Sequence, residues 1–197
     1  MEKSDLFDLI DAVQSILIDE LPVIVGSQAT FALTDDPPEI AQESVECDFL
    51  IFGSGKSDLR DRVNNELGVL TPFQREKGYY ADALGLATVV LASGWQDRLQ
   101  PLLGPENKII AYCLEIHDVA ISKLIAGREK DHAFLLDAFS RELLLPAILI
   151  ERLALVNSQV ENDTIPNRVS KLIAFLKKQD APPTTIGAFK KFLEDNY

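Results

Sequence analysis

Glu46 and Asp48 stand two residues apart in the run SVECDFLIF. Successive side chains of a β-strand point to opposite faces, so on a strand these two acids face the same way while Val45, Cys47, Phe49 and Ile51 enter the core. Two like charges held a few ångströms apart repel each other, and a divalent cation such as Mg²⁺ removes that repulsion. The pair is therefore a candidate metal site. A half-buried strand whose polar face happens to be acidic gives the same triplet, so the residues before it matter.

Those residues read as strand, tight turn and helix. Val23-Ile24-Val25 is a short β-branched run that ends at Gly26-Ser27 and passes into the helix-forming QATFAL. Gly26 permits close backbone approach, Ser27 is a candidate helix cap, and the unpaired N–H groups of the first helical turn attract an anion such as a phosphate. An ordinary strand-to-helix turn has the same composition. Asp35-Asp36-Pro37-Pro38 then ends the helix before the acidic strand.

A second group of chemically capable residues lies in DVAISKLIAGREKD, residues 118–131. Lys123 is the only lysine on an otherwise apolar helix expected over about 119–126, with Asp118 as its cap. If Gly127 ends that helix, a second one covers 128–143 with Phe134, Leu135, Ala138 and Phe139 buried, and Lys123 and Asp131 face one cleft. If the helix continues, the spacing 123, 127, 131 aligns them on one stripe. Arg128, Glu129, Lys130 and Asp131 otherwise read as surface ion pairs, worth little individually. His117 and His132 read as capping or surface residues.

Around these groups the chain must build a scaffold. Leu6, Leu9, Ile10, Val13, Ile16 and Leu17 recur at helical spacing and predict a helix over about 4–19. Residues 56–66 are charged and helix-prone; their Lys56, Arg60 and Arg62 could reach a triphosphate, although such a run is usually a solvated face. Tyr79-Tyr80 and residues 88–91 read as a hairpin, Gly94-Trp95 as a turn, and 107–114 as a strand. From Pro146 the pattern is helical: PAILIERLALV, then NRVSKLIAFLKK after Pro166, then TIGAFKKFLEDNY after Pro182-Pro183.

Composition bounds the function. The chain has 197 residues, 47% of them hydrophobic, enough to bury one core. Its formal charge is −12, which disfavours binding a nucleic acid by unspecific phosphate contacts over the whole surface. The charge is uneven: residues 1–48 hold twelve acids against Lys3 alone, whereas 164–193 hold Arg168, Lys171, Lys177, Lys178, Lys190 and Lys191 against Asp180. Such an acidic front and basic tail suggest mutual attraction or a polar partner surface. Cys47 and Cys113 lie in apolar runs and read as core thiols, not as a disulfide framework or zinc site. No signal-like N-terminus or membrane-length apolar run is apparent, so the expected location is cytoplasmic.

GSQA at 26–29 followed by SVECD at 44–48 resembles the nucleotidyltransferase pattern of a hydrophobic residue, Gly and Gly or Ser, then [DE]xD. DVAISKLIAGREKD resembles the KL-A-R-KD segment of a bacterial nucleotidyltransferase-like family related to the AbiEii and AbiGii toxins, as do GYYADALG at 78–85 and GWQDRL at 94–99. The resemblance spans roughly residues 21–139. It implies an α/β (α+β) fold with the acidic strand in a mixed sheet, Gly26 and Ser27 gripping an NTP, and Glu46 and Asp48 holding Mg²⁺. It further implies that Lys123 and Asp131 act near the phosphates as the catalytic pair; separately, a triphosphate on so acidic a chain needs local cations, for which Lys123 and Arg128 are the candidates. Glu46 replaces the commoner Asp and lengthens that ligand by one methylene. Many nucleotidyltransferases add a third carboxylate from a neighbouring strand, for which Asp82 and Glu115 are the candidates. The resulting expectation is a nucleotidyltransferase-like core over 1–143 and a C-terminal helical subdomain over 144–197. It would transfer a nucleoside monophosphate to a hydroxyl of RNA, protein or a small molecule. The alternatives are a catalytically silent module, a toxin–antitoxin component or a homodimer.

Overall fold

The computed structural model describes residues 1–156 and 160–197. Helix α1, Lys3–Leu17, buries the Leu6, Leu9, Ile10, Val13, Ile16 and Leu17 stripe that its spacing predicts. Strand β1, Val23–Val25, leads directly into α2, Gly26–Leu33. A short helix α3, Glu39–Glu43, precedes β2, Glu46–Leu50. Helices α4, Ser57–Leu67, and α5, Pro72–Lys77, then carry the chain over to β3, Tyr80–Leu84. Strands β4, Gln100–Leu103, and β5, Ile109–Cys113, complete a mixed sheet in the order β3-β2-β1-β5-β4.

The sheet's register decides what meets what. β1 and β2 are antiparallel with Val25 opposite Asp48, and β2 and β3 are parallel with Glu46 opposite Tyr80 and Asp48 opposite Asp82. The expected hairpin around Tyr79-Tyr80 and residues 88–91 does not form. A parallel neighbour requires a crossover, and α4 with α5 supplies it, whereas residues 86–88 coil into a 3₁₀ turn. Helix α5 was not apparent in the sequence, although its ends are well marked: Thr71 accepts a cap bond from the Gln74 N–H, and Gly78 closes it at φ 82°. β4 also escapes the apolar pattern because Pro101 lies on it, a residue tolerated on an edge strand that need not donate on both sides.

Cys47, Phe49 and Ile51 are buried as the alternation requires, and so is Cys113, but Val45 is 46% exposed because it lies before the strand begins. Helix α6, Ile116–Ala126, starts earlier than expected. Glu115 caps it through the His117 N–H, and Asp118 is instead buried in the first turn, where it accepts two bonds from Arg98 at 2.7 and 2.8 Å. Gly127 ends α6 at φ 63°, so the broken-helix alternative holds. Helix α7 runs Glu129–Ser140, shorter than 128–143, with Arg128 just before its first turn. Both histidines are buried rather than on the surface: His117 pairs with Glu115 and accepts from the Leu145 N–H, and His132 packs on Phe175.

Three further helices follow: α8, Pro146–Leu153, α9, Thr164–Lys178, and α10, Pro183–Asn196. Helices α8 and α9 pack on α6, and the buried Leu149, Leu153, Val169, Leu172, Leu176 and Phe189 join the same apolar core as the sheet. Among the described residues no ion pair links the acidic front to the basic tail; Asp8 pairs with Lys77 and Asp35 with Lys3. Among the described residues no helix is long and apolar enough to cross a membrane.

Candidate functional site

The parallel register of β2 and β3 places Glu46, Asp48, Tyr80 and Asp82 on one sheet face. One carboxylate oxygen from each of Glu46, Asp48 and Asp82 lies within 4.8 Å of the others. The Tyr80 hydroxyl donates to Glu46 Oε2 and so fixes that longer side chain. This hydrogen bond, with burial and the neighbouring acids, pushes the phenol up to about 12. Asp82 therefore joins the pair, while Glu115 lies elsewhere, occupied by His117. The alternation of YADA, which sets Tyr80 and Asp82 on one face as Glu46 and Asp48 are set, was the available signal for both.

Burial, followed by the charges of Glu46 and Asp82, raises the Asp48 carboxyl to about 7 against an ordinary 3.8, with Lys123 partly offsetting them. Asp82 is raised by burial and by Glu46. In metal-free protein the folded state thus retains a proton that the unfolded chain loses between about pH 4 and 7, so stability falls as pH rises through that window, by roughly 4 kcal/mol from Asp48. Thermal unfolding in chelator should give a lower midpoint at pH 7.5 than at pH 5.5, and Asp48→Asn should reduce that difference. Equal pH dependence in the two proteins would contradict the assignment.

Gly26 explains why Asp48 can approach the turn. It follows Val25, the residue opposite Asp48, and takes φ 65°; a Cβ there would lie 2.1 Å from Asp48 Oδ2. Both the conformation and the contact demand glycine. Ser27 lies within the first turn of α2 and makes no cap bond, contrary to the capping role expected for it. Its backbone and that of Gly26 belong to the turn whose N–H groups lack helical partners. If the acids hold Mg²⁺, Gly26→Ala should push the Asp48 carboxylate aside and weaken that binding about tenfold or more, measured by calorimetric titration, since disturbing the groups that orient a metal's ligands costs about 10–100-fold in affinity. Unchanged Mg²⁺ affinity would show that Asp48 is not a ligand.

These groups open into a cleft of about 690 Å³ whose wall also includes Lys123, Arg128 and Lys130. Lys123 is 8% exposed, lies 4.5 Å from the centroid of the Phe134 ring, and approaches Asp131 Oδ1 at 3.6 Å. Burial lowers its pKa, and Asp131 and Asp48 partly offset this. Asp131 is fully buried and accepts from the Arg128 N–H at 3.2 Å, from Nε at 2.7 Å and from Nη2 at 3.2 Å. Its carboxylate does not line the cleft, but it fastens two cations that do. Lys56, Arg60 and Arg62 are engaged elsewhere, with Glu20, the Ile51 carbonyl and Glu66.

The family model described as nucleotidyltransferase of unknown function (DUF6036) matches residues 4–162. The chain belongs to this family. No curated protein and no solved structure matches it. Membership supports the nucleotidyltransferase half of the sequence resemblance; the tie to the AbiEii and AbiGii toxins is not part of the match. This DUF6036 chain carries the strand acids and the Gly26 turn within the matched region, and its last two helices lie beyond it.

The acid trio fits a hard cation. Mg²⁺ prefers oxygen ligands at about 2.1 Å in octahedral geometry, which places adjacent ligands about 3 Å and opposite ones about 4.2 Å apart. Three carboxylate oxygens within 4.8 Å of one another are close enough to be drawn together onto one ion. The raised Asp48 pKa is the electrostatic cost that a bound cation would remove.

Proposed function

We propose that this protein transfers a nucleoside monophosphate from an NTP to a hydroxyl acceptor with Mg²⁺ bound at Glu46, Asp48 and Asp82. The observation that carries the reading is the acid trio, with Asp48 held against the Gly26 turn, lining one cleft together with Lys123 and Arg128. When bound, Mg²⁺ neutralises phosphate charge and orients the reacting oxygens for in-line displacement.

The chain's own residues supply the rest. The first-turn N–H groups at Gly26 and Ser27 receive phosphate oxygens, aided by the positive end of α2. Lys123 and Arg128 meet the remaining phosphate charge, and Asp131 positions both cations from behind. Tyr80 holds Glu46 in its ligand orientation. Asp82, contributed by the neighbouring strand, accepts the proton of the attacking hydroxyl.

The test is to heat the protein with Mg²⁺ and each NTP in turn, then to follow label transfer from an α-labelled NTP. At a nucleotide concentration about a hundred times Kd, the expected stabilisation is about 2.7 kcal/mol, or roughly 5–10 °C for a chain of this size. Absence of any Mg²⁺-dependent shift with all four nucleotides would overturn the reading. A shift without label transfer to any acceptor would leave a nucleotide-binding module and remove the transferase.

A further inference from the structure

The cations of this acidic protein divide into two groups. Lys3, Lys56, Lys77, Arg98 and Arg141 are each paired with an acid on another element, and Arg62 with Glu66 on its own helix. Lys130, Arg168 and Lys171 are three of eleven lysines and arginines that make no salt bridge among the described residues, although the chain offers an excess of carboxylates.

These three lie together. Lys130, in the first turn of α7, lines the cleft and is exposed. The Arg168 guanidinium lies against Gly127, so close that a Cβ there would meet its Nη1 at 2.6 Å, and Gly127 separates the cleft-lining Ala126 and Arg128. Lys171 is one turn farther along α9 and exposed. Burial and then the charges of Arg168 and Lys171 lower the pKa of His132, on α7, against the attraction of Asp131; both cations therefore lie close to that helix. Arg128, held by Asp131, connects this group to the cleft. The result is a short unneutralised cationic track from the cleft wall onto α9, on a chain of net charge −12.

We propose that this track binds the phosphate backbone of a single-stranded nucleic acid and presents its terminal hydroxyl to the cleft as the acceptor. The inference rests on the nucleotidyl-transfer reading of that cleft. In the reaction the terminal hydroxyl oxygen forms a bond to the α-phosphorus of the NTP, its proton passes to Asp82, and the bond from the α-phosphorus to the bridging oxygen breaks to release pyrophosphate. Excess acid elsewhere repels the strand, so it is held only near the track and its end is directed inward. Compared with the expectation of docking along all the basic tail, the proposed footprint is confined to the cleft end of α9.

The test measures anisotropy of fluorescent 12-mer RNA and DNA oligonucleotides against salt, for wild type and for Arg168→Gln with Lys171→Gln. Neither substituted residue lines the cleft. Three phosphates neutralised by Lys130, Arg168 and Lys171 give a single-strand slope near −2, so affinity should fall about 20-fold between 50 and 200 mM salt; with one contact left the fall should be about 3-fold. The double variant should keep its thermal shift with Mg²⁺ and NTP, and extension of the better-bound oligonucleotide should fall with binding. The proposal is overturned if neither oligonucleotide binds at 50 mM salt, if the variant keeps the wild-type slope, or if a polyglutamate peptide binds as tightly. It is also overturned if the track proves to be a self-interface, seen as a low-salt dimer that the variant dissolves. Loss of the Mg²⁺–NTP shift in wild type would instead remove the reading of the cleft, whatever the oligonucleotides do.

Discussion

Asp48→Asn should abolish nucleotidyl transfer, lowering the rate by about 10³-fold or more, while raising the melting temperature of the metal-free protein at pH 7.5. The two effects have one cause. Asp48 is held against Glu46 and Asp82 and beneath Gly26 in a place where a negative charge is unfavourable, which its pKa of about 7 records. An amide of the same shape relieves the repulsion but is a poor ligand for a hard cation. Removing a group that organises charge at the reacting phosphate costs on the order of 10²–10³ from lost donors alone, and loss of the metal adds to it. The decisive measurement is the pair of changes in one variant: a higher Tm in chelator with loss of the Mg²⁺-dependent shift. A lower Tm with Mg²⁺ binding retained would make Asp48 a structural acid. Glu46→Ala combined with Asp48→Ala should likewise eliminate Mg²⁺–NTP stabilisation without unfolding the chain.

The sequence carried the local half of this site. Alternation along ECDFL fixes Glu46 and Asp48 on the face opposite Cys47 and Phe49, and a β-branched run stopped by Gly-Ser marks where α2 begins. Alternation also groups Tyr80 with Asp82, but it cannot tell a parallel neighbour from a hairpin, because side chains alternate in both. Only the crossover through α4 and α5 brings Asp82 opposite Asp48, and that is a long-range pairing. A similar limit applies to Lys123 and Asp131. Gly127 was a visible stop signal, yet the same spacing fitted an unbroken helix, and only packing shows that the lysine reaches the acid from a different helix. Burial of Asp131 was hidden for another reason: in REKD it looks like one charge among four, and nothing local says which of them turns inward.

That inward charge makes Asp131→Ala the substitution expected to damage the protein most. The carboxylate is fully buried, accepts three hydrogen bonds from Arg128 and lies beside a lysine that is itself buried. Breaking a buried ion pair from one side leaves an uncompensated charge and costs about 3–5 kcal/mol, or roughly 6–20 °C in Tm for a domain of this size. Much of that loss belongs to Lys123 rather than to Asp131. Lys123→Met with Asp131→Leu removes both charges and should recover most of the stability, since well-packed apolar residues can replace a buried pair at little cost. Nucleotide binding should not recover, because Lys123 no longer meets the phosphates and Arg128 has lost the group that orients it. Stability and binding thus respond differently to the second substitution. If the double variant regained Mg²⁺–NTP stabilisation together with its Tm, the two residues would form a structural pair alone, and Arg128 with the Gly26 turn would have to hold the triphosphate without them.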